Sequence, residues 1–338
     1  MAKRIARVFI AGDWDADGIV ATSLLVYSQE KLGIYPLRTK AVIEKKPVDP
    51  EKLKFIFGEL SGAYDLMVFL DLPYTNRVPG VLKLLKTHFS VKKIMYVDHH
   101  ISSVSNRSRL EEVVDILMIE HGISTSKIVY SALEELGVTV PSRLKAFVEV
   151  VEYMDSGKRI PSHYMKLFDI VKLISKALTI RRDPRVWISI VDWLASPSPF
   201  PQPLEESVLN NVRRIVEDWD KRVEEVATDL AVGAMRIGDF KFVDARNKWR
   251  RRGATALASK LSSILKAPVM LWIDTTKEYT LLIVKAPKGR AYRIAKYLVG
   301  EGYGTDIAGH PNIAIIKIPR SVEKERLIEG LRKAVYYT

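Results

Sequence analysis

The stretch Arg7-Val8-Phe9-Ile10-Ala11-Gly12-Asp13-Trp14-Asp15-Ala16-Asp17-Gly18 decides how this 338-residue chain is read. The run ending at Ala11 is short, apolar and partly β-branched, as a buried strand is. Three carboxylates follow at alternate positions, then a glycine, then Ile19, Ala21, Leu24 and Leu25 at helical spacing. Three acids on one tight turn repel one another in a poorly hydrated site, so the turn needs a cation. Hard divalent ions take carboxylate oxygens, which points to Mg or Mn. Asp-x-Asp-x-Asp-Gly also opens the calcium loop of helix-loop-helix proteins. That loop requires a bidentate Glu at its twelfth position, here Leu24, and a helix before it, where this chain has a strand. Asp17 stands where a helix N-cap belongs. The metal candidates on this turn are therefore Asp13 and Asp15.

Further along, Leu66-Met67-Val68-Phe69-Leu70 reads as a buried strand ending on Asp71, and Ile94-Met95-Tyr96-Val97 as another ending on Asp98-His99-His100. A strand near Leu37–Ile43 and one at Val113–Met118 complete a set that alternates with helices at about Ile19–Lys31, Leu53–Glu59 and Val81–Thr87. Such alternation predicts an α/β fold, a doubly wound parallel sheet covered on both faces. In that fold the carboxyl ends of the strands share one edge, where ligands bind. Asp13, Asp15, Asp71 and Asp98-His99-His100 should therefore meet in space.

Helices follow, from a cap at Ser124 or Thr125 toward Leu136, at Arg143–Met154 ending on Asp155-Ser156-Gly157, and from His163 to about Leu194. The segment Ser196–Pro203, with four prolines, excludes a regular element. Leu204, Val208, Val212, Ile215, Trp219, Val223 and Val226 then keep one helical face. We read residues 1–195 as a first domain, 196–228 as linker and bridging helix, and 229–338 as a smaller C-terminal α/β domain. Its expected strands are Leu230–Met235, Phe240–Asp244, Val269–Ile273, Tyr279–Val284 and Ile313–Ile318. Its expected helices are Ala254–Leu265, one that follows Lys288-Gly289-Arg290 and runs to Leu298, and Val322–Ala334, with loops at Gly302–Gly304 and Ala308–Asn312.

The net charge of +13 suits a polyanionic partner, with the local acids holding the metal that works on it. The absence of cysteine removes disulfides, thiolate nucleophiles and zinc–thiolate sites together. No apolar run is long enough to span a membrane and the N-terminus lacks a signal-peptide core, so a soluble, cytoplasmic protein without a membrane partner is expected.

Two divalent cations roughly 3.5–4 Å apart are the usual apparatus for phosphate-ester hydrolysis. Asp71, alone at its strand end, is the natural bridge, with Asp13 favouring one ion and Asp15 the other. His99 adds an imidazole, which shifts the preference from Mg toward Mn. His100 is expected to point away from His99 and to serve the scissile phosphate as donor or general acid. Asp98 is expected to orient an imidazole. His88, His121 and His163 sit among polar or helical residues, whereas His310 is flanked by Gly309 and Pro311, so that its backbone can approach a ligand. Arg246, Lys248 and Arg250–Arg252, with Trp249 between them, form a basic stretch suited to phosphate contacts and stacking.

Taken together, Asp13-Trp14-Asp15-Ala16-Asp17-Gly18, Asp71, Asp98-His99-His100 and Asp155 resemble the four motifs of the DHH phosphoesterase superfamily. Gly309-His310-Pro311-Asn312 resembles the glycine-histidine motif of its associated C-terminal domain. The resemblance runs through essentially the whole chain. It implies a Mn-dependent phosphoesterase with its site in a cleft between two α/β domains. It implies Asp13 and Asp71 on one Mn, and Asp15, Asp71, His99 and Asp155 on the other, with Mg as an alternative ion. His100 would touch substrate. His310, with Gly309 and Asn312 and the basic Lys285, Arg290, Arg246 and Arg252, would grip a nucleotide. Phe9 stands near the place of a histidine ligand in the oligoribonuclease and pyrophosphatase members and cannot coordinate. The first motif is more similar to that of the RecJ single-strand exonucleases, and an archaeal source is expected. The implied activity is hydrolysis of single-stranded DNA, RNA or short oligonucleotides to 5′-mononucleotides. A cyclic-dinucleotide or small phosphate-ester phosphodiesterase and a non-catalytic replication scaffold are the alternatives.

Overall fold

A computed structural model describes residues 5–198, 203–250, 252–275, 278–310 and 312–338. Residues 199–202 of the proline-rich stretch, Arg251 and Pro311 lie outside the described residues, as does the side chain of His310. The chain divides into two compact units between Val216 and Glu217, a boundary that falls inside the helix read as a bridge.

In the first unit five strands, β1 (Ala6–Gly12), β2 (Ala41–Pro47), β3 (Leu66–Leu70), β4 (Ile94–Asp98) and β5 (Ile116–Ile119), form one sheet. Its order is β2-β1-β3-β4-β5 and every pairing is parallel. The helices are α1 (Ala16–Leu25), α2 (Val78–His88), α3 (Ile101–Ser105), α4 (Arg107–Glu111), α5 (Thr125–Glu135), α6 (Ser142–Ser156), α7 (Met165–Ile180) and α8 (Pro184–Ala195). Residues in the central strands are buried whichever way they point, which is why these strands are continuous apolar runs rather than alternating ones. Val8, Ile10, Val68 and Val97 pack toward α1, α5, α6 and α8. Phe9, Phe69 and Tyr96 pack on the other face with α2 and the 3-10 helix Pro50–Glu59.

The second unit begins within the long helix α9 (Glu206–Val232). Its strands are β6 (Met235–Ile237), β7 (Phe240–Asp244), β8 (Val269–Ile273), β9 (Tyr279–Lys285), β10 (Ile307–His310) and β11 (Ile313–Pro319), in the order β10-β11-β9-β8-β7-β6. Only the β7–β8 pairing is parallel. Helices α11 (Arg290–Gly300) and α12 (Lys324–Tyr337) bury Ile294, Leu298, Leu327 and Leu331 against this sheet, and α10 (Ala254–Leu265) also packs on β8 and β9.

Several boundaries differ from the sequence reading. The strand expected at Leu37–Ile43 starts at Ala41. Buried Gln29 takes the preceding segment, accepting from Leu37 N and donating to Thr39 O, both at 2.6 Å. The helix expected to run to Lys31 changes to a π-helical turn at Val26. The fifth strand begins three residues late, at Ile116. Leu230 belongs to α9, because its helical face stays buried, and the strand expected from it is only Met235–Ile237. Ala308–His310, expected as loop, is edge strand, since Ile307–His310 finds an antiparallel partner in β11.

Candidate metal centre

The strand order reverses between β1 and β3, which opens a crevice at their carboxyl ends. Asp13 follows β1 there, and its backbone N–H donates to Leu70 O of β3 at 3.2 Å. The turn into α1 is tight. A Cβ on Gly18 would lie 2.6 Å from both the N and the O of Asp13, so only glycine lets the first helical turn close over that backbone. Asp15, not Asp17, is the N-cap: its Oδ1 accepts from the N–H groups of Asp17 and Gly18 at 3.1 Å. Asp17 therefore lies inside the first turn, 1% exposed. Its two oxygens accept from the backbone N–H groups of Thr125 (2.7 Å) and Ser126 (2.8 Å) at the start of α5. These charge-assisted bonds lock the carboxylate in one orientation.

Asp71 is buried and takes a left-handed backbone, φ 60°. A non-glycine residue there stores about 1–3 kcal/mol of strain. It is held by the bond from its N–H to Val97 O (3.0 Å) and by Thr125 Oγ1, which donates to Asp71 Oδ1 at 3.1 Å. His99 Nε2 lies 3.4 Å from Asp71 Oδ1 and 3.9 Å from Asp17 Oδ2. Asp155 comes in on the last turn of α6, which Gly157 terminates at φ 64°.

Three sets of potential ligand atoms each lie within 4.8 Å of one another: Asp13, Asp15 and Asp71; Asp17, His99 and Asp155; and Asp71, His99 and His100. The sequence reading expected Asp15 beside His99 and Asp155. The geometry puts Asp17 in that position and leaves Asp15 with Asp13. The sequence signal for Asp17 is its place as the third acid of the alternating set, a position whose spacing alone equally suits a helix cap. His99 and His100 do not diverge as expected: their rings are 4.7 Å apart and both approach Asp71. Asp98 does sit as an orienting group, its Oδ1 2.7 Å from His100 Nδ1.

Burial pushes the Asp13 carboxyl up to about 7, with the charge of Asp15 adding to it. Withdrawal from water, then the charges of Asp17 and Asp15, push Asp155 up to about 8, although one side of it meets solvent. Asp17 and Asp71 are also raised, by burial first and by neighbouring acids next. Burial alone would lower His100, but the hydrogen bond and charge of Asp98, joined by Asp15 and Asp13, hold it above its ordinary value. The buried Asp13 Oδ1 and Asp98 Oδ2 have no hydrogen-bond partner. A concentration of carboxyls that burial and mutual repulsion hold above their ordinary range, with spare buried oxygens among them and an imidazole alongside, fits hard or borderline divalent cations.

No protein-family model matches the sequence, and no curated protein matches it. Solved structures do match. A DHH domain described as a member of the S1p family of ribosomal proteins aligns with TM-score 0.63 and 18% identity, over 98% of this chain and 86% of that one. The fold is that of DHH-domain proteins. RecJ from Thermus thermophilus in complex with Mn2+ aligns with TM-score 0.63 and 15% identity over 98% of this chain, which spans 52% of that protein's chain. The pGpG-specific phosphodiesterase PggH of Vibrio cholerae aligns with TM-score 0.54 and 13% identity over 98% of this chain and 99% of its own.

Within the second unit of this DHH fold, the residues expected to grip a nucleotide fall into two groups. Ile313 pairs with both His310 and Lys285, and Lys285 also pairs with Val269 at the start of β8. Asn312 joins the same end, its Oδ1 accepting from Gly289 N at 2.9 Å, next to Arg290. Gly309, at φ 110°, has no room for a Cβ against Ile313 O. Arg290 is paired with Asp239 and lies 4.8 Å over Phe240. Arg246 follows the other end of the sheet, because Asp244 pairs with Trp272 near the end of β8. It is clamped by Asp244 in two bonds of 2.9 and 2.8 Å and lies 3.5 Å over Trp272. Arg252 is exposed just before α10. Trp249, expected between the basic residues as a stacking surface, is instead buried edge-on against Trp219, so its ring is not open to a base. No helix among the described residues is long and apolar enough to cross a membrane.

Proposed function

We propose that the chain is a metal-dependent phosphodiesterase, using Mn with Mg as the alternative, that hydrolyses single-stranded DNA, RNA or short oligonucleotides to 5′-mononucleotides. The observation that carries it is the convergence of Asp13, Asp15, Asp17, Asp71, His99 and Asp155 in overlapping sets within 4.8 Å at a sheet switch point. In this reading Asp13, Asp15 and Asp71 would hold one cation, and Asp17, His99 and Asp155, with Asp71 beside His99, would hold the other. When bound, the pair would supply charge neutralisation at the phosphoryl oxygens and a lowered pKa for water. The protein's part is to hold its carboxylates ready. Asp17 is aimed by the start of α5, and Asp71 by Thr125 and by its own backbone turn. His100, whose pKa Asp98 raises, would donate from its other ring nitrogen to the phosphate or the departing oxygen. In the second unit, Lys285, with Gly309 and Asn312 beside it, is the preferred candidate for a nucleotide contact, since Arg246 and Arg290 are already committed to Asp244 and Asp239.

The same site would serve a dinucleotide, and the likeness in fold to the pGpG-specific PggH over 98% of this chain supports that second reading. The test is incubation with Mn or Mg and end-labelled single strands, duplexes, linear dinucleotides and cyclic dinucleotides, with Asp71→Asn as the control. Product ladders give polarity and the preferred substrate separates the readings. Absence of cleavage of every substrate, together with absence of Mn binding by calorimetry, would remove the proposal and favour a scaffold.

A further inference from the structure

The first unit carries two cavities that share the side chain of Phe55. One, about 620 Å³, is bounded by Phe9, Trp14, Val48, Ile56 and Ile188 with Arg182. It reaches the turn that carries the metal cluster through Trp14, although none of the clustered ligands lines it. Trp14 lies between Asp13 and Asp15 in the chain, Arg182 lies 5.7 Å over its ring, and the charge of Arg182 reaches Asp13. Arg182 Nε is buried without a partner. The other cavity, about 1010 Å³, lies between the 3-10 helix and α2, with Leu53, Phe57, Val81 and Leu84 in its lining. Phe55 stands between them, 63% exposed, with Lys54 Nζ 5.3 Å over its ring.

We propose that the two cavities are the path along which single-stranded nucleic acid leaves the metal centre. The base next to the reacting phosphate enters the Trp14–Arg182 cavity, and a following base stacks on Phe55. Lys52, Lys54, Arg77 and Lys83 then face the phosphates. The substrate class rests on the phosphodiesterase reading; the path rests on this surface. The four cations form no ion pair with a carboxylate among the described residues, and of the acids lining the cavities Glu59 and Asp49 are paired with Lys46 and Arg182, so with Glu51 counted the lining keeps a net positive charge for a polyanion. A docked protein would favour a lysine-poor apolar core instead. Aromatic faces interleaved with cations are what sequence-tolerant single-strand binding uses. The first cavity offers an apolar and aromatic wall, with Arg182 Nε as a buried donor that has no partner.

The test is fluorescence anisotropy in EDTA with labelled oligothymidylates of graded length and with duplex. Affinity should rise with strand length, and duplex should bind more weakly. Phe55→Ala, at an exposed position, should weaken a long strand by about 5- to 150-fold, the effect of one lost base stack. Lys83→Glu should flatten the dependence of log K on log salt by at least about 0.7. An iodouracil strand should cross-link to the peptides carrying Trp14 or Phe55. Circular dichroism verifies that each variant is folded. Wild-type affinity and salt slope in both variants would overturn the path, as would equal affinity for duplex or a dimer that Phe55→Ala dissociates. Strand binding through Phe55 without hydrolysis under Mn would sink the phosphodiesterase reading alone. Hydrolysis with binding indifferent to Phe55 would sink the path alone.

Discussion

Asp17→Asn tests the centre where the geometry departs most from the spacing. Asn keeps one acceptor but turns an NH2 toward one of the two N–H groups at the start of α5, so one charge-assisted bond is lost. Such a bond contributes about 1.5–3 kcal/mol. Opposing this, the substitution removes an acid from a cluster whose members already resist ionisation. In the metal-free protein the two effects should leave a net loss of about 1 kcal/mol, or about 2–4 °C in Tm. With metal the outcome differs. At free Mn a hundred times its Kd, the wild type gains about 2.7 kcal/mol. If losing a direct ligand weakens that site about 100-fold, at least the cost of losing an outer partner, the variant's gain from it falls to about 0.4 kcal/mol. Differential scanning calorimetry in EDTA and in graded Mn should therefore separate the two proteins mainly in the metal-dependent part. Titration calorimetry should show one Mn per chain weakened. Two Mn bound with wild-type affinity, and wild-type hydrolysis, would refute the assignment of Asp17.

Other outcomes follow from the same site. Asp13 and Asp155 have folded-state pKa values raised to about 7 and about 8, so the folded protein binds more protons than the unfolded chain between about pH 4 and 8. Their contribution to stability is full below about pH 4 and is lost as pH rises through 7–8, so melts in EDTA should fall more steeply over that range than those of Asp13→Asn; an equal or shallower fall contradicts the assignment. Asp98→Asn removes the group that raises His100, so the alkaline limb of the kcat profile should move to lower pH; an unmoved limb excludes His100 as the protonated donor. Gly18→Ala inserts a Cβ against the Asp13 backbone and should cost about 1–3 kcal/mol by denaturant melts, with Mn affinity falling alongside.

The sheet was legible because its strands are buried on both faces. Phe9, Val68 and Tyr96 sit in unbroken apolar runs, and such runs bounded by acids admit few alternatives to a parallel α/β layer. The convergence of Asp13, Asp71 and His99 followed from topology, since strands of one parallel sheet end on a common edge, whereas Asp155 arrives on the last turn of α6 and only the family resemblance pointed to it. The β2 segment was less legible. Its start depends on Gln29, a side chain from another element that bonds the backbone at Leu37 and Thr39. Trp249 shows the same limit: a tryptophan among arginines reads as exposed, but Trp219 on α9 covers it.

By itself, then, the sequence determined the α/β class, the strand ends and the chemistry of the side chains placed there. Only the tertiary structure decided which acid serves which cluster. Alternating spacing makes Asp13, Asp15 and Asp17 equivalent. Their roles separate because Asp15 bonds the first N–H groups of α1, while Asp17 meets the start of α5, more than a hundred residues away. A long-range hydrogen bond of that kind leaves no local periodicity from which it can be read.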